Sequence, residues 1–366
     1  MAGLALAVSS CGGGAHSNRK SGQVSGTVTS PPTQRTTSPP RQRTTNFGAD
    51  VSAMFFDRNL DAAAIDRQLT AAAAADLGLA RVAPLWEFTE PSPPRGGKHL
   101  YNWSFDDFIA TRLAAHSFKW IAVLAYAPGW NSLEPATLHA APRSPGDFAA
   151  YAEALAARYR GQIAAYEIWN EENSPIFWRP RPDPAAYAQL YLAARAAIHA
   201  ADPGAPVLIG GLANGTRFLS QLLATPGVAG QIDGVAVHPY DAGPLQVVAR
   251  VRDYRRQLRS LGAGNVPLYV TEYGWATRPA GNPTYAPASQ QGPFIGAVAT
   301  ALLRSDCNVR TAVFYAWTTA QGNPSDRDQW YGIASPSGAP AGAIEAVAQA
   351  ARRLLESGAT TRLCGG

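Results

Sequence analysis

The chain is 366 residues long and 46% hydrophobic, with 31 basic and 26 acidic residues and a formal net charge of +5. Five of the basic residues, Arg19, Lys20, Arg35, Arg41 and Arg43, precede the first acidic residue, Asp50, so the other 26 match the 26 acidic ones and the folded part is close to neutral. A nucleic-acid enzyme carries its positive charge on the folded surface, which argues against that class, and no apolar stretch approaches the ~20 residues that cross a bilayer.

In chain order, the apolar run Leu4 to Val8 is followed by Ser9, Ser10, Cys11 and glycines, which resembles a bacterial lipoprotein cleavage box. On this reading residues 1–11 are a signal region, Cys11 is lipidated, and the protein is secreted or held at the cell surface by that anchor alone. No Lys or Arg precedes the run, and it is shorter than the usual signal core. An incidental cysteine in an unstructured N-terminus is the other reading. Residues 12–46 are rich in Gly, Ser, Thr, Pro, Gln and Arg and nearly free of large apolar side chains. Such a segment cannot bury enough surface to offset its ordering entropy, so it reads as a disordered tether. Order is expected from Phe47, with one catalytic domain over 47–366.

From there short apolar runs alternate with segments of helical period. Predicted strands 1 to 8 are Val51–Phe56, Leu79–Pro84, Trp120–Tyr126, Ile163–Asn170, Val207–Gly211, Ile232–His238, Leu268–Glu272 and Val309–Trp317. Predicted helices are Asp61–Leu77, Phe105–His116, Pro145–Tyr159, Pro184–Ala200, Thr216–Ala224, Leu245–Leu261, Ser289–Arg304 and Ala341–Leu355. Ser104 with Asp107 reads as an N-cap pair, Asp183 caps ahead of Pro184, and Gly78 reads as the end of the first helix. Eight strands, each followed by a helix, is the count of a single (β/α)8 TIM barrel, of class α/β.

Barrels of this kind place their sites at the C-terminal ends of the strands. Those ends carry Trp86, Trp130, Asn170, Glu171, Asn214, His238, Tyr240, Glu272 and Trp317. Alternation along a strand puts Glu167, Trp169 and Glu171 on one face of strand 4, and Leu268, Val270 and Glu272 on one face of strand 7. If both faces point inward, two glutamates meet across the barrel mouth. Glycoside hydrolysis needs such a pair, one carboxyl to protonate the departing oxygen and one to attack the anomeric carbon or activate water. His238 and Tyr240 are placed to donate hydrogen bonds to Glu272, and Asn170 to hold the sugar 2-hydroxyl.

Trp169-Asn170-Glu171, His238-Pro239-Tyr240 and Thr271-Glu272-Tyr273-Gly274 together resemble the active-site set of the glycoside hydrolase A clan, over roughly residues 47–355. The resemblance implies Glu171 as acid/base, Glu272 as nucleophile and Tyr240 as the residue that orients it. Tyr101-Asn102-Trp103-Ser104 and Ala125-Tyr126-Ala127-Pro128-Gly129-Trp130 are similar to the β-xylosidase and α-L-iduronidase family, which includes bacterial exopolysaccharide endoglycosidases. That family commonly continues Asn-Glu with Pro, where this chain has Glu172, a local competitor that alternation sets on the other face.

Glu167 reads as structural, paired with Arg81; Arg81 reaching the nucleophile or substrate is an equal alternative. His238 reads either as an active-site residue or as a satisfied lumen histidine. Trp130, Trp178, Trp275, Trp317 and Trp330 fall in strand-end loops, where an aromatic face can stack on a sugar ring, with Trp317 the first choice. His99, His116, His139 and His199 form no metal-ligand spacing, so no metal and no cofactor are expected. Cys307 and Cys364 read as a disulfide in an exported protein, against two buried thiols. The expected partner is a carbohydrate substrate and the expected state a monomer. The leading function is retaining hydrolysis of a β-linked oligo- or polysaccharide, with endo cleavage suggested by aromatics on both sides of the mouth. A catalytically silent sugar-binding barrel and a transglycosylase using the same residues are the alternatives.

Overall fold

Eight short runs rich in Val, Ile, Leu and Ala form parallel strands that close on themselves: β1 (Thr44–Asp50), β2 (Leu77–Val82), β3 (Lys119–Leu124), β4 (Ile163–Asn170), β5 (Val207–Ala213), β6 (Gly234–His238), β7 (Leu268–Val270) and β8 (Val309–Phe314). Each pairs with the next, and β8 pairs with β1. The computed structural model describes residues 42–335 and 341–365. Cys11 and residues 12–41 of the expected tether lie outside the described residues.

The helices are α1 (Ser52–Phe56), α2 (Ala62–Ala74), α3 (Trp86–Thr89), α4 (Ser104–Ala115), α5 (Pro145–Tyr159), α6 (Pro184–Ala201), α7 (Arg217–Leu223), α8 (Pro244–Ser260), α9 (Ala288–Leu303) and α10 (Ala341–Leu355). Their starts follow from local chemistry. Asp61, Ser144 and Asp183 accept backbone N–H groups of the first turns of α2, α5 and α6. Proline at the first position of α5 and α6 fixes a helical φ where no N–H is needed. Buried residues recur at helical spacing, as with Tyr187, Leu190, Tyr191, Ala194 and Ile198 on α6.

Leu79, Ile121, Ala165, Leu208, Ala236, Tyr269 and Val313, one residue from each of β2 to β8, meet in a buried cluster that plugs the lumen. Two positions further along β2 and β4 stand Arg81 and Glu167, so the apolar plug is the floor on which the polar layer of the mouth rests.

Three local expectations are corrected. The run Val51–Phe56 is not the first strand; Ser52–Phe56 is the short helix α1, which buries Met54 and Phe55, and the strand is the preceding Thr44–Asp50. Its Thr, Asn and Gly content made it look like linker, so the ordered chain starts before Phe47. Gly78 lies inside β2, where a Cβ would stand 2.6 Å from the Thr44 carbonyl oxygen, and α2 ends at Ala74 with Asp76 taking the left-handed conformation. Ser104 does not cap α4: its hydroxyl donates to Asn102, and Asp107 instead binds Arg158. The expected Cys307–Cys364 bridge is present, with Cα atoms 5.1 Å apart, and ties the C-terminal segment to the residues just before β8.

Candidate active site

The layer above the plug is organised by Arg81. Its Nε and Nη2 donate to the two oxygens of Glu167 (3.1 and 2.8 Å), and Nη2 also donates to Asn170 Oδ1 (2.9 Å). Its Nη1 donates to Asp50 Oδ2 (2.9 Å) and to Glu272 Oε1 (2.6 Å). Both readings of Arg81 therefore hold: it pairs with Glu167 and it reaches Glu272. Burial alone would raise the Glu167 pKa, but the charges of Arg81 and His238 hold it down to about 2.

Glu272 Oε2 accepts the Tyr240 hydroxyl at 2.8 Å, so each of its oxygens is held by one donor, Arg81 or Tyr240. His238 sits chiefly against Glu171, with Nδ1 3.0 Å from Oε1, and stands 3.7 Å from Glu272 Oε2 and, through Nε2, 3.8 Å from Glu167. Burial opposes charging this ring. The surrounding Glu272, Glu167 and Glu171 outweigh it and push the His238 pKa up to about 10. A charged imidazole thus lies between the two glutamates.

Glu171 reaches the mouth by a route that strict alternation does not describe. Trp169 and Glu171 take positive φ values, 72° and 49°. The pleat breaks there: the Trp169 indole turns toward Phe148 and Trp178 and donates to the Phe177 carbonyl, while Asn170 and Glu171 both turn inward. The turn is stapled to β5 by Glu171 N–H on the Gly211 carbonyl and by a two-way amide exchange between Asn173 and Ala213. In strand 7, Tyr269 belongs to the lumen plug, and Glu272 enters the mouth from beyond the end of the ladder. Strict alternation therefore fails at both strand ends, although both glutamates reach the mouth.

One oxygen each of Glu171 and Glu272 and one nitrogen of His238 all lie within 4.8 Å of one another. Such a trio could hold a divalent ion, but Arg81 and Tyr240 already occupy both oxygens of Glu272, and the guanidinium adds a positive charge beside them. The arrangement suits proton and carbon chemistry between two carboxyl groups. A second grouping, Asp306 with Cys307 and Cys364, has its sulfurs in the disulfide.

The aromatic expectations divide. Trp317 is fully buried with its Nε1 on Gln68 of α2, on the outside of the barrel wall. Trp275 is buried against Phe294 and donates to the Ala242 carbonyl. Trp86 stacks on Tyr151, and Trp178 packs between Trp169 and Tyr187. All four are packing residues, and Trp178, Trp275 and Trp317 are thereby corrected from sugar-stacking ones. Trp130 and Trp330 remain half-buried in loops after β3 and β8. Besides Tyr240, three aromatic groups to which the sequence reading gave no role in the site lie near the carboxylates. Tyr315 interacts with Asp50 and Glu272, Tyr331 packs on Tyr240 and Tyr315, and Tyr126 lies near Glu171, Glu272 and Asn170. A usable signal was present in Gly210-Gly211. A Cβ on Gly211 would overlap the His238 ring and stand 2.7 Å from Glu167 Oε1, and one on Gly210 would overlap Glu172.

Glu172 is fully buried on the other side of β5, beside the Tyr187 hydroxyl and with no basic side chain paired to it among the described residues. Burial, with the nearby charge of Glu167, pushes its pKa up to about 8. It faces away from the mouth and is no competitor of Glu171.

No protein-family model matches the chain, and no curated protein does. Among solved structures, the chain is similar to a family 39 glycoside hydrolase from Bacteroides cellulosilyticus, with TM-score 0.66 and 18% identity over 84% of this chain and 64% of that one. It is also similar to a monomeric β-xylosidase from Caulobacter crescentus, with TM-score 0.65 and 20% identity over 85% and 68%. A third similarity is to a glycoside hydrolase of family 5, subfamily 18, from Streptomyces cattleya in complex with GlcNAc, with TM-score 0.65 and 19% identity over 88% and 83%. The chain thus spans less than two thirds of the first of these proteins, and the likeness is one of fold.

Proposed function

We propose that the protein is a retaining O-glycosyl hydrolase that cleaves a β-linked oligo- or polysaccharide by double displacement, with Glu272 as nucleophile and Glu171 as acid/base. The observation that carries this is the approach of the two carboxyl groups, with one oxygen of each within 4.8 Å. Retaining glycosidases hold the pair roughly 5–5.5 Å apart, whereas inverting ones leave room for a water at roughly 6.5–9.5 Å. In the first step a Glu272 oxygen attacks the anomeric carbon, and the bond to the leaving oxygen breaks as that oxygen takes a proton from Glu171. In the second step Glu171 takes a proton from water, and that water displaces Glu272 from the sugar.

The surrounding residues suit these roles. Arg81 and Tyr240 fix both oxygens of Glu272. His238, which holds its charge well above neutral pH, stands with Nδ1 3.0 Å from Glu171 Oε1 and orients that carboxyl. Asn170 gives its side-chain oxygen to Arg81, which leaves its NH2 group to donate to a sugar hydroxyl. The three similarities in architecture to glycosidases support the same reading without assigning a sugar. With Glu272→Ala, azide is expected to restore turnover and yield the inverted glycosyl azide; with Glu171→Ala, azide is expected to yield the retained one. Swapped products would reverse the two roles, and inverted products from the wild type would overturn the mechanism.

A second, finer reading is endo cleavage of an envelope or exopolysaccharide by a surface-tethered enzyme. The half-buried Trp130 and Trp330 favour it, because they stand in the loops after β3 and β8, strands three apart around the barrel. Mid-sized oligosaccharides in the first minutes of digestion of a purified polymer are the expected result; monosaccharide alone refutes it.

A further inference from the structure

Arg81 offers five N–H donors, and all five are taken. The bidentate grip of Glu167 alone balances its charge. Asp50 is therefore a surplus carboxylate in the layer. It ends β1, is 2% exposed, and uses Oδ1 to accept the Ser52 N–H at 2.9 Å, which aims Oδ2 at Arg81. The Arg81 nitrogen it holds is the one that holds Glu272, with 2.9 Å to Asp50 and 2.6 Å to Glu272. The other charged or titratable groups facing Asp50, Arg81 and Glu272 are Glu167 of β4, His238 and Tyr240 at β6, Tyr126 beyond β3, and Tyr315 and Tyr331 beyond β8.

We propose that Asp50 is a positioning residue for the nucleophile, acting through the shared Nη1 of Arg81: it sets the direction of the hydrogen bond to Glu272 Oε1, and it competes with Glu272 for the same positive charge. The inference rests on the reading of Glu272 as nucleophile. The competition has a chemical use. A carboxylate fully neutralised by a guanidinium is a poor nucleophile, and an unheld one is badly aimed. Sharing one nitrogen between two carboxylates keeps the aim and weakens the neutralisation. When Glu272 becomes an ester its charge is gone, and Asp50 remains as the anion matched to Nη1. Burial pushes the Asp50 carboxyl up, against the pull of Arg81 and with the push of the neighbouring Glu272.

The test is Asp50→Asn, measured on the full chain with the 2,4-dinitrophenyl β-glycoside that the wild type turns over fastest in a panel of pentosides and hexosides. Such a leaving group needs no acid, so kcat/KM reports attack by Glu272, and its acid limb reports ionisation of the free enzyme. Loss of the competing negative charge should move the acid limb to lower pH, by about 0.5–1 unit. At the plateau, kcat/KM should fall about ten- to a hundredfold as Glu272 becomes more firmly paired and less well aimed. If Asp50→Asn does not fold, as judged by its melting transition, the same profile is read on Asp50→Ser. A folded variant with the wild-type acid limb overturns the inference, even if its rate is reduced. The azide products of Glu272→Ala report separately on the underlying reading: if those hold and the limb does not move, only the role of Asp50 is lost.

Discussion

Glu172 provides a stability test that needs no substrate. Its carboxyl is enclosed and titrates near 8 in the fold against 4.5 in an exposed chain. A carboxyl raised in the folded state opposes folding wherever the unfolded chain is ionised and the folded one is not. Stability is therefore lost as pH rises from 4.5 toward 8 and the loss then levels off. Glu172→Gln keeps the shape of the neutral acid and removes the titration. The free-energy gap between variant and wild type should widen by about 2.5 kcal/mol between pH 5 and pH 7, in favour of the variant. For a domain of this size that is a relative gain of roughly 5 °C in Tm. Any fixed packing cost of the amide cancels, because the comparison is across pH. His238, raised to about 10, also costs stability as pH climbs past 6.5, and Asp106, raised to about 7, does so from 3.8; both are common to the two proteins and drop out of the difference. Urea unfolding at pH 5, 6, 7 and 8 is the assay. A gap that stays constant over that range would refute the reasoning and mean that Glu172 is ionised in the fold with a counter-charge.

Gly211→Ala should cost far more activity than its single methyl suggests, because the added Cβ overlaps the His238 ring; a kcat/KM within threefold of wild type would contradict the site geometry. Opening the Cys307–Cys364 bridge by Cys364→Ser should lower stability by up to about 4 kcal/mol, from the chain entropy of a 57-residue separation, with little change in kcat. Deleting residues 1–41 should leave kcat/KM on soluble substrates unchanged. Deleting 1–45 should lower Tm, because Thr44 pairs with Leu77 and its hydroxyl donates to the Asp76 carbonyl; equal melting temperatures for the two truncations would argue against β1 as described.

Much of the barrel was legible because its signals are local. Strand β4 and helix α5 match their predicted bounds, since an apolar run and a Ser-Pro start define each without outside help. Strand β1 was missed because its neighbours, not its own composition, make it a strand: Gly48 presses against the Leu79 backbone, a fit that no single run of residues announces. The two glutamates were found through motif and position. The supporting argument from alternation failed, because the positive φ values at Trp169 and Glu171 are tertiary constraints imposed by β5. The tryptophans misled for a related reason. A strand-end indole is as well suited to the seam between wall and helix as to a sugar, and Gln68, 249 residues away from Trp317, decides its side. Arg81 touching both Glu167 and Glu272 was within reach of sequence reasoning as two alternatives, but that one guanidinium serves both needs coordinates.

The described chain enters and leaves on the same side. Thr44 opens β1, Arg43 reaches the His116 carbonyl just past the end of α4, and Cys364 is bonded to Cys307 two residues ahead of β8. All of these mark the end of the barrel where strands begin, opposite the face where Glu171 and Glu272 meet. Attachment at Gln42 or at Gly365, to a bead or a carrier protein, would therefore leave the face with Glu171 and Glu272 pointing outward. A chain immobilised at Gln42 and one immobilised at Gly365 should bind or turn over a bulky ligand of that mouth equally well, with neither support shading it.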